Sequence, residues 1–389
     1  MSVQVLQQAI RRSQSCAADA RHAVAEFHAG VAQRDMALVI FFCSSHYDLP
    51  ALAAEMNRAF PGVQVVGCTS AGEIGPAGYR DHSLAGVSFA GGAFAAASGP
   101  IEGLQRFQMS DGHSLTQTLL RRLERAVPGA DARNMFAFLM IDGLSMREEV
   151  VSRVLQHSLH GIAMFGGSAS DNQKFQKTQV FCDGAFRADA AVVTLVHTTL
   201  PFKVFKTQHF AVTEQRVVVT AADPERRIVH EIDGRPAAAA YAALVGGDPR
   251  QLDPDRFAAS PVVVLIDGSD YVRSIQKANS DGSLTFYCAI EEGVILRVAQ
   301  SADLVANLER AFAGLRAELG PPELVIGCDC ILRNLECAQR GLKGRVGEIF
   351  QRNNTVGFST YGEQFHGVHI NQTLTGLAIG SAGPDKPNA

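Results

Sequence analysis

Apolar residues in this chain gather into short continuous runs separated by stretches of helical period. Met36–Phe42, Met135–Ile141, Ile162–Phe165 and Leu324–Ile326 hold almost no polar position, the pattern of strands buried on both faces of a sheet. Helices are expected over Leu49–Phe60, from about Arg147 to His160 and from Ile331 to about Phe350, so that each run joins a βαβ unit. Leu304–Leu319 is amphipathic and stops at Gly320-Pro321-Pro322. Asp189–Val196, Thr207–Val219 and Ser283–Ile290 alternate as antiparallel or edge strands do, and Pro261–Ile266 is a further strand. Residues 2 to about 35 are rich in Ala, Gln, Arg and Glu, with Val5, Leu6, Ala9 and Ile10 at helical spacing. They are expected to be helical. The organisation expected is a helical segment 1–35, an α/β domain 36–221, a second α/β domain 222–382 after the polar turn Ala221-Ala222-Asp223-Pro224, and a disordered tail 383–389.

The two halves repeat one another. Val66-Gly67-Cys68-Thr69-Ser70-Ala71-Gly72-Glu73 recurs as Val356-Gly357-Phe358-Ser359-Thr360-Tyr361-Gly362-Glu363, with four of eight positions identical at a constant offset of 290. Upstream, Leu38-Val39-Ile40 recurs as Leu324-Val325-Ile326 at offset 286, so four residues are added in the connection. The fold class expected is therefore α/β, two duplicated domains with largely parallel or mixed sheets covered by helices. Each motif reads as a buried strand that ends in a glycine and hydroxyl turn, and such exits collect ligands in α/β sheets. Cys68, Thr69, Ser70, Gly72, Glu73, Gly167 and Ser168 are expected to line a small-molecule groove.

Composition narrows the function. A net charge of −4 with 35 basic residues gives no case for nucleic acid or an anionic membrane surface. No apolar run has bilayer length, and the first ten residues lack a secretion-signal pattern. Eight cysteines without compact spacing point to a reducing, cytoplasmic setting. No Gly-x-Ser-x-Gly elbow, Walker loop or Gly-x-Gly-x-x-Gly turn occurs, so no enzymatic activity is expected.

Several residues carry candidate chemistry. Cys328 and Cys330 end a strand and are expected to point to opposite sides of it, which disfavours one metal held by both; Cys337 does not complete a zinc spacing. One of these thiols would serve a redox switch if exposed. Glu73 and Glu363 would bind an ammonium or a backbone donor, or cap a helix. Arg273 and Arg333 suit a carboxylate. Among twelve histidines, His366 and His369 lie beside the second Gly-Glu exit, His157 and His160 would share a helix face, and His46 follows the first strand.

Gly67 through Ile74, Gly166-Gly167-Ser168-Ala169-Ser170-Asp171, Asp281-Gly282-Ser283, Ala289 through Gly293, and Tyr361-Gly362-Glu363 with His369 through Thr373 resemble the FIST sensory family, over roughly residues 35–380. The resemblance implies a FIST N-terminal domain at 36–221 and a FIST C-terminal domain at 222–382. Cys328 through Glu336 and Ser359 through Gln364 look like its NosP branch of stand-alone bacterial haem proteins that sense nitric oxide. That resemblance implies haem b, a partner histidine kinase or GGDEF/EAL cyclic-di-GMP protein, and a homodimer by the habit of sensors. The resemblance fixes no axial ligand; His366 or His369 is expected in that role from its place beside the second Gly-Glu exit, with Arg333, Tyr361, Glu363, Cys328 and Cys330 around the cofactor and Asn371 in the ligand set. Other FIST proteins imply a small metabolite such as an amino acid instead.

Overall fold

The computed structural model describes residues 9–266 and 268–381. Within them one chain pattern, strand, helix, strand, helix, strand, hairpin, strand, occurs three times. The first copy runs β1 (Ile10–Ser15), α1 (Ala20–Val31), β2 (Met36–Ser44), α2 (Leu49–Ala59), β3 (Val65–Ser70), the hairpin β4 (Glu73–Gly75) and β5 (Gly78–Arg80), and β6 (Leu84–Ala90). The second runs β7 (Phe94–Glu102), α3 (Met109–Ala126), β8 (Met135–Ile141), α4 (Glu148–Ser158), β9 (Ala163–Ser168), the hairpin β10 (Val180–Cys182) and β11 (Ala185–Arg187), and β12 (Ala190–Thr198).

The third copy opens with β13 (Phe202–Thr207) and is then interrupted. The insertion carries β14 (Phe210–Asp223), β15 (Ile228–Ile232), β16 (Arg235–Pro236), α5 (Ala237–Val245), α6 (Pro254–Ala259), β17 (Val262–Ile266), β18 (Ser269–Arg273), β19 (Ile275–Ala278), β20 (Leu284–Phe286) and β21 (Ile295–Ser301). The copy resumes with α7 (Leu304–Leu319), β22 (Leu324–Cys330), α8 (Ile331–Gln339), α9 (Lys343–Arg352), β23 (Thr355–Thr360), the hairpin β24 (Glu363–Phe365) and β25 (Val368–Ile370), and β26 (Leu374–Ile379). Two helices, α8 and α9, stand where the first copy has α2 alone, which is where the four added residues lie.

Each copy builds a mixed sheet around one parallel pair, β2 with β3, β8 with β9, or β22 with β23. The expected mixed α/β architecture is present, helices outside the sheets. No sheet is completed by its own copy. The hairpin β4–β5 pairs with β23 of the third copy, β24–β25 with β9 of the second, and β10–β11 with β3 of the first. The exchange is a closed ring. Backbone bonds stitch the three strand ends in the same cyclic sense: Ala71 N to Ser359 O (3.3 Å), Tyr361 N to Ser168 O (3.2 Å) and Ser170 N to Thr69 O (3.0 Å). Inner faces of all three sheets share one core, where Phe42 stacks on Phe358 at 4.4 Å and Phe138 on Phe165 at 4.7 Å.

The pairing register makes Gly67, Gly166 and Gly357 equivalent. A Cβ on each would sit 2.5, 2.3 and 1.9 Å from the carbonyl oxygens of Phe41, Leu139 and Gly327. Only glycine lets these strands approach so closely.

Four expectations change. The helix over 2–35 is a strand at Ile10–Ser15 and a helix only over Ala20–Val31; pairing of β1 with β6 outweighs the helix preference of Arg and Gln. The first eight residues and the expected tail 383–389 lie outside the described residues. β14 passes unbroken through the expected boundary at 221 and 222. The motif strands do not stop at their apolar runs: β3 continues through Cys68, Thr69 and Ser70, held on both sides by β2 and β10. Cys328 and Cys330 share a face, as residues two apart in a strand do, and Asp329 turns to the other, toward Tyr79 and Arg333.

Candidate functional site

The strand exits are closed. Glu73 accepts from Ser83 N and Oγ, both at 2.8 Å, and bonds Ser70 Oγ; Glu363 accepts from Thr373 N (3.2 Å) and Oγ1 (2.7 Å) and bonds Thr360 Oγ1. Each carboxyl is fully buried and ties its hairpin to the strand that follows. Burial pushes both up to about 8, against the hydroxyl and amide hydrogen bonds. Cys68, Thr69, Ser70, Gly167 and Ser168 are buried in the strands themselves, and Gly72 lies against Tyr79, Asp81 and Asn334. Thr69 N donates to the Gln179 carbonyl and Ser168 N to the Gly362 carbonyl, while the carbonyls of Thr69 and Ser168 accept two of the three stitches.

Arg333 is sealed in a buried chain. Its Nε donates to Asp329 Oδ1 at 2.7 Å and Nη1 to His209 Nδ1 at 2.9 Å, while His209 Nε2 donates to Glu336 at 2.7 Å. Tyr79 OH completes Asp329 at 3.2 Å. His209 immediately precedes β14, so the chain pins the neck of the insertion. Tyr361 stacks on Phe175 at 4.6 Å and donates to Asp171. Cys328 and Cys330 are buried, and desolvation raises both thiols well above their ordinary range.

The structure opens elsewhere. A cavity of about 830 Å³ lies between α4, the β24–β25 hairpin and the insertion. The helix wall offers Glu149, Arg153, Gln156 and His157; the hairpin offers His366, Gly367, Val368 and His369. The insertion supplies a roof of Val264, Leu265, Ile266, Val294 and Ile295 with Arg216, Arg273 and Arg297, and Glu291 at the edge. Every hairpin tip meets the helix below it in the same way. A Cβ on Gly367 would touch Gln156, one on Gly184 would touch Asn57, and one on Gly78 would approach Gln351. The second copy's contact differs because the insertion roofs it.

His366 and His369 thus come together with His157, Arg273 and three arginines that the sequence did not single out. His366 is exposed at a positive φ of 48°, and partial desolvation lowers its pKa from the ordinary 6.5. His157 ends α4, whereas His160 lies beyond the helix at φ 47°, so the two do not share a face. His46 stands apart, its ring 4.0 Å from that of His82.

His369 is 2% exposed and forms part of the floor. Gln364 Nε2 donates to its Nδ1 at 3.1 Å and to Ser168 Oγ at 3.0 Å, which leaves the ring proton on Nε2. Burial lowers its pKa to about 4 against the pull of Glu149. Nε2 faces Gly362, where a Cβ would lie 2.8 Å away, and neither it nor the Asn371 amide has a hydrogen-bond partner among the described residues. The Tyr287 backbone approaches the ring outside good hydrogen-bond geometry.

A clasp joins floor to roof. Arg227, from the insertion, donates to Glu148 (2.7 Å) and Glu149 (2.9 Å) in the first turn of α4, and Ala289 N donates to Glu149 at 2.7 Å. Burial raises the Glu148 pKa, while Glu149, against the cost of burial, is held ionised by its neighbour His369, then by the Arg227 guanidinium and the Ala289 amide. Arg273 Nη1 donates to the His369 carbonyl at 2.6 Å, and Ser274 Oγ to Gln372 at 2.8 Å. The spacing of Glu148-Glu149 and Arg227 gave no sign of this; 78 residues separate Arg227 from Glu149.

No group of three or more metal-ligating side chains occurs among the described residues. No described helix is long and apolar enough to cross a membrane. None of the curated proteins compared matches the chain. The FIST N domain model matches residues 37–235 and the FIST C domain model residues 237–366. The two matches meet inside the insertion, at β16, and the cavity draws on both: α4 and Arg216 lie in the first, and the roof residues from Val264 to Arg297, with His366, in the second. The chain belongs to the FIST family of signal-transduction sensor domains for small ligands.

Proposed function

We propose that the cavity beneath the insertion is the ligand site of this sensor and that its ligand is haem, through which nitric oxide is sensed. The observation that carries the reading is the lining: an apolar roof, four guanidinium groups and an exposed, neutral imidazole in a space of about 830 Å³. Drug-sized and cofactor ligands take pockets of roughly 300–1,000 Å³, and haem requires an apolar cleft with one axial donor.

His366 is the residue to serve as that donor, because its ring reaches the cavity and makes no hydrogen bond among the described residues. His369 is the poorer choice, since its Nε2 is turned against Gly362. Haem, when bound, supplies the open iron position at which nitric oxide attaches. The protein's part is to exclude water with Leu265 and Ile295, to neutralise the acidic edge with arginine, and to hold the imidazole. Because the walls belong to α4 on one side and the insertion on the other, any change in the occupant alters their separation. A partner histidine kinase or GGDEF/EAL protein would read that change through different affinities for the two states.

Titration of the apoprotein with haemin tests this directly. A stoichiometric Soret band that shifts with nitric oxide, and is lost or displaced in His366→Ala, is expected; no stoichiometric band would remove haem from the reading. A metabolite such as an amino acid is the second reading, favoured by Glu291, a carboxylate with no ion pair among the described residues, in the same lining as the arginines. A rise in melting temperature of apoprotein with an amino acid, and none with haemin, selects it.

A further inference from the structure

The roof of the cavity has a layout that the alternation of strand residues makes explicit. Val217 and Leu296 turn into the insertion's own core, with Val264 packed against it. Their neighbours Arg216, Leu265, Ile295 and Arg297 lie on the opposite face and line the cavity. In register, Val218 stands opposite Ile295, and Arg216 opposite Arg297; the pairing of Val264 with Leu296 sets Leu265 beside Ile295. The result is an apolar pair in the lining, Leu265 and Ile295, exposed by 57 and 52%, and alongside it two arginines directly across from each other.

Like charges directly opposite on neighbouring strands destabilise a sheet. Asp270 answers Arg297 with an ion pair, but Arg216 has no ion pair among the described residues. On the facing wall Arg153 of α4 has none either. Glu149 is already engaged by Arg227, and Arg273 meets a carbonyl, so Glu291 is left as the one unengaged carboxylate of the lining against two unengaged guanidinium groups.

We infer that the cavity selects an apolar molecule bearing an acidic group, its body on Leu265 and Ile295 and its acid held between Arg216 of the insertion and Arg153 of α4. An anion in that place links the two walls. The inference rests on the cavity being the ligand site, and it holds for a carboxylate ligand with or without iron. Guanidinium is suited to the task because it offers paired donors to an oxyanion, and an apolar anion gains both from covering the exposed apolar pair and from cancelling the uncompensated charge.

A matched pair of fluorescent probes tests it without haem. Anilinonaphthalene sulfonate is an apolar anion, and N-phenyl-1-naphthylamine is the same body without the acid. Full-length apoprotein should bind the sulfonate at least tenfold more tightly than the amine. Arg216→Gln and Arg153→Gln should each weaken the sulfonate about fivefold to tenfold, leave the amine unchanged, and keep the wild-type melting temperature; Arg216→Lys should restore part of the loss. Equal affinity for the two probes, absence of binding, or sulfonate affinity indifferent to both variants would overturn the inference. Haemin titrated in parallel separates the two ideas: failure of haemin to bind while the arginine variants still lose the sulfonate removes haem and leaves the acid-binding pair standing.

Discussion

Glu73 and Glu363 give the sharpest test of how this fold is held. Ser70 Oγ has one hydrogen and two oxygen neighbours, the Cys43 carbonyl at 3.0 Å and the Glu73 carboxyl. If the hydroxyl donates to the carbonyl, the carboxyl must supply the proton of the other bond, which agrees with a pKa raised by burial to about 8. A carboxyl raised in the folded state stabilises fully below its unfolded pKa of about 4.5 and loses that contribution as pH climbs to the folded value. Between pH 5.5 and 7.5 the folded state therefore keeps nearly one more proton per carboxyl than the unfolded state. At about 1.4 kcal/mol per pH unit per group, two groups over two units cost about 5 kcal/mol of stability. The double variant Glu73→Gln with Glu363→Gln should abolish that dependence, since a carboxamide can donate to the serine or threonine hydroxyl and accept from Ser83 or Thr373 without titrating. Urea denaturation followed by far-UV circular dichroism suits a chain without tryptophan. Wild-type stability should fall across the window relative to the double variant; parallel pH curves for the two would refute the reasoning.

Other expectations follow from burial and close contact. Of eight thiols only Cys16 is exposed, so native protein should react quickly with one equivalent of Ellman's reagent, and Cys16→Ser should remove that reaction; rapid modification of Cys328 or Cys330 would contradict the placement and restore a thiol switch. Gly357→Ala drives a methyl into the Gly327 carbonyl and should prevent recovery of folded protein. By contrast Gly314→Ala, at an open position in α7, should raise stability by about 0.5–1 kcal/mol, both read as melting temperature or urea midpoint. Arg333→Met leaves Asp329 buried with only Tyr79 and should cost about 3–5 kcal/mol, a loss that Asp329→Asn in the same chain should partly recover.

Much of the local structure was legible because it depends on neighbours in sequence. The apolar runs of β2, β8 and β22, the helices α4 and α7, and the parallel pairing of each βαβ unit follow from periodicity and length. The repeat of Glu73 at Glu363 was legible too, since the two carboxyls do the same work in the same turn. The second copy was not recognised as a third repeat: Val180 occupies the pairing position of Glu73 and Glu363, and an excursion from 169 to 179 displaces its hairpin. Of the site, His366, His369 and Arg273 could be picked out by chemistry. Arg153, Arg216 and the Arg227 clasp could not, because an arginine carries no local signature of whether it will end exposed, as in a lining, or buried against a distant carboxylate, as Arg227 does. What the chain alone settled was the menu of strands, helices and tight glycines. The tertiary structure decided which hairpin completes which sheet and which helix the insertion covers, because those choices rest on backbone pairing and buried charge between segments as much as 290 residues apart, where periodicity carries no information.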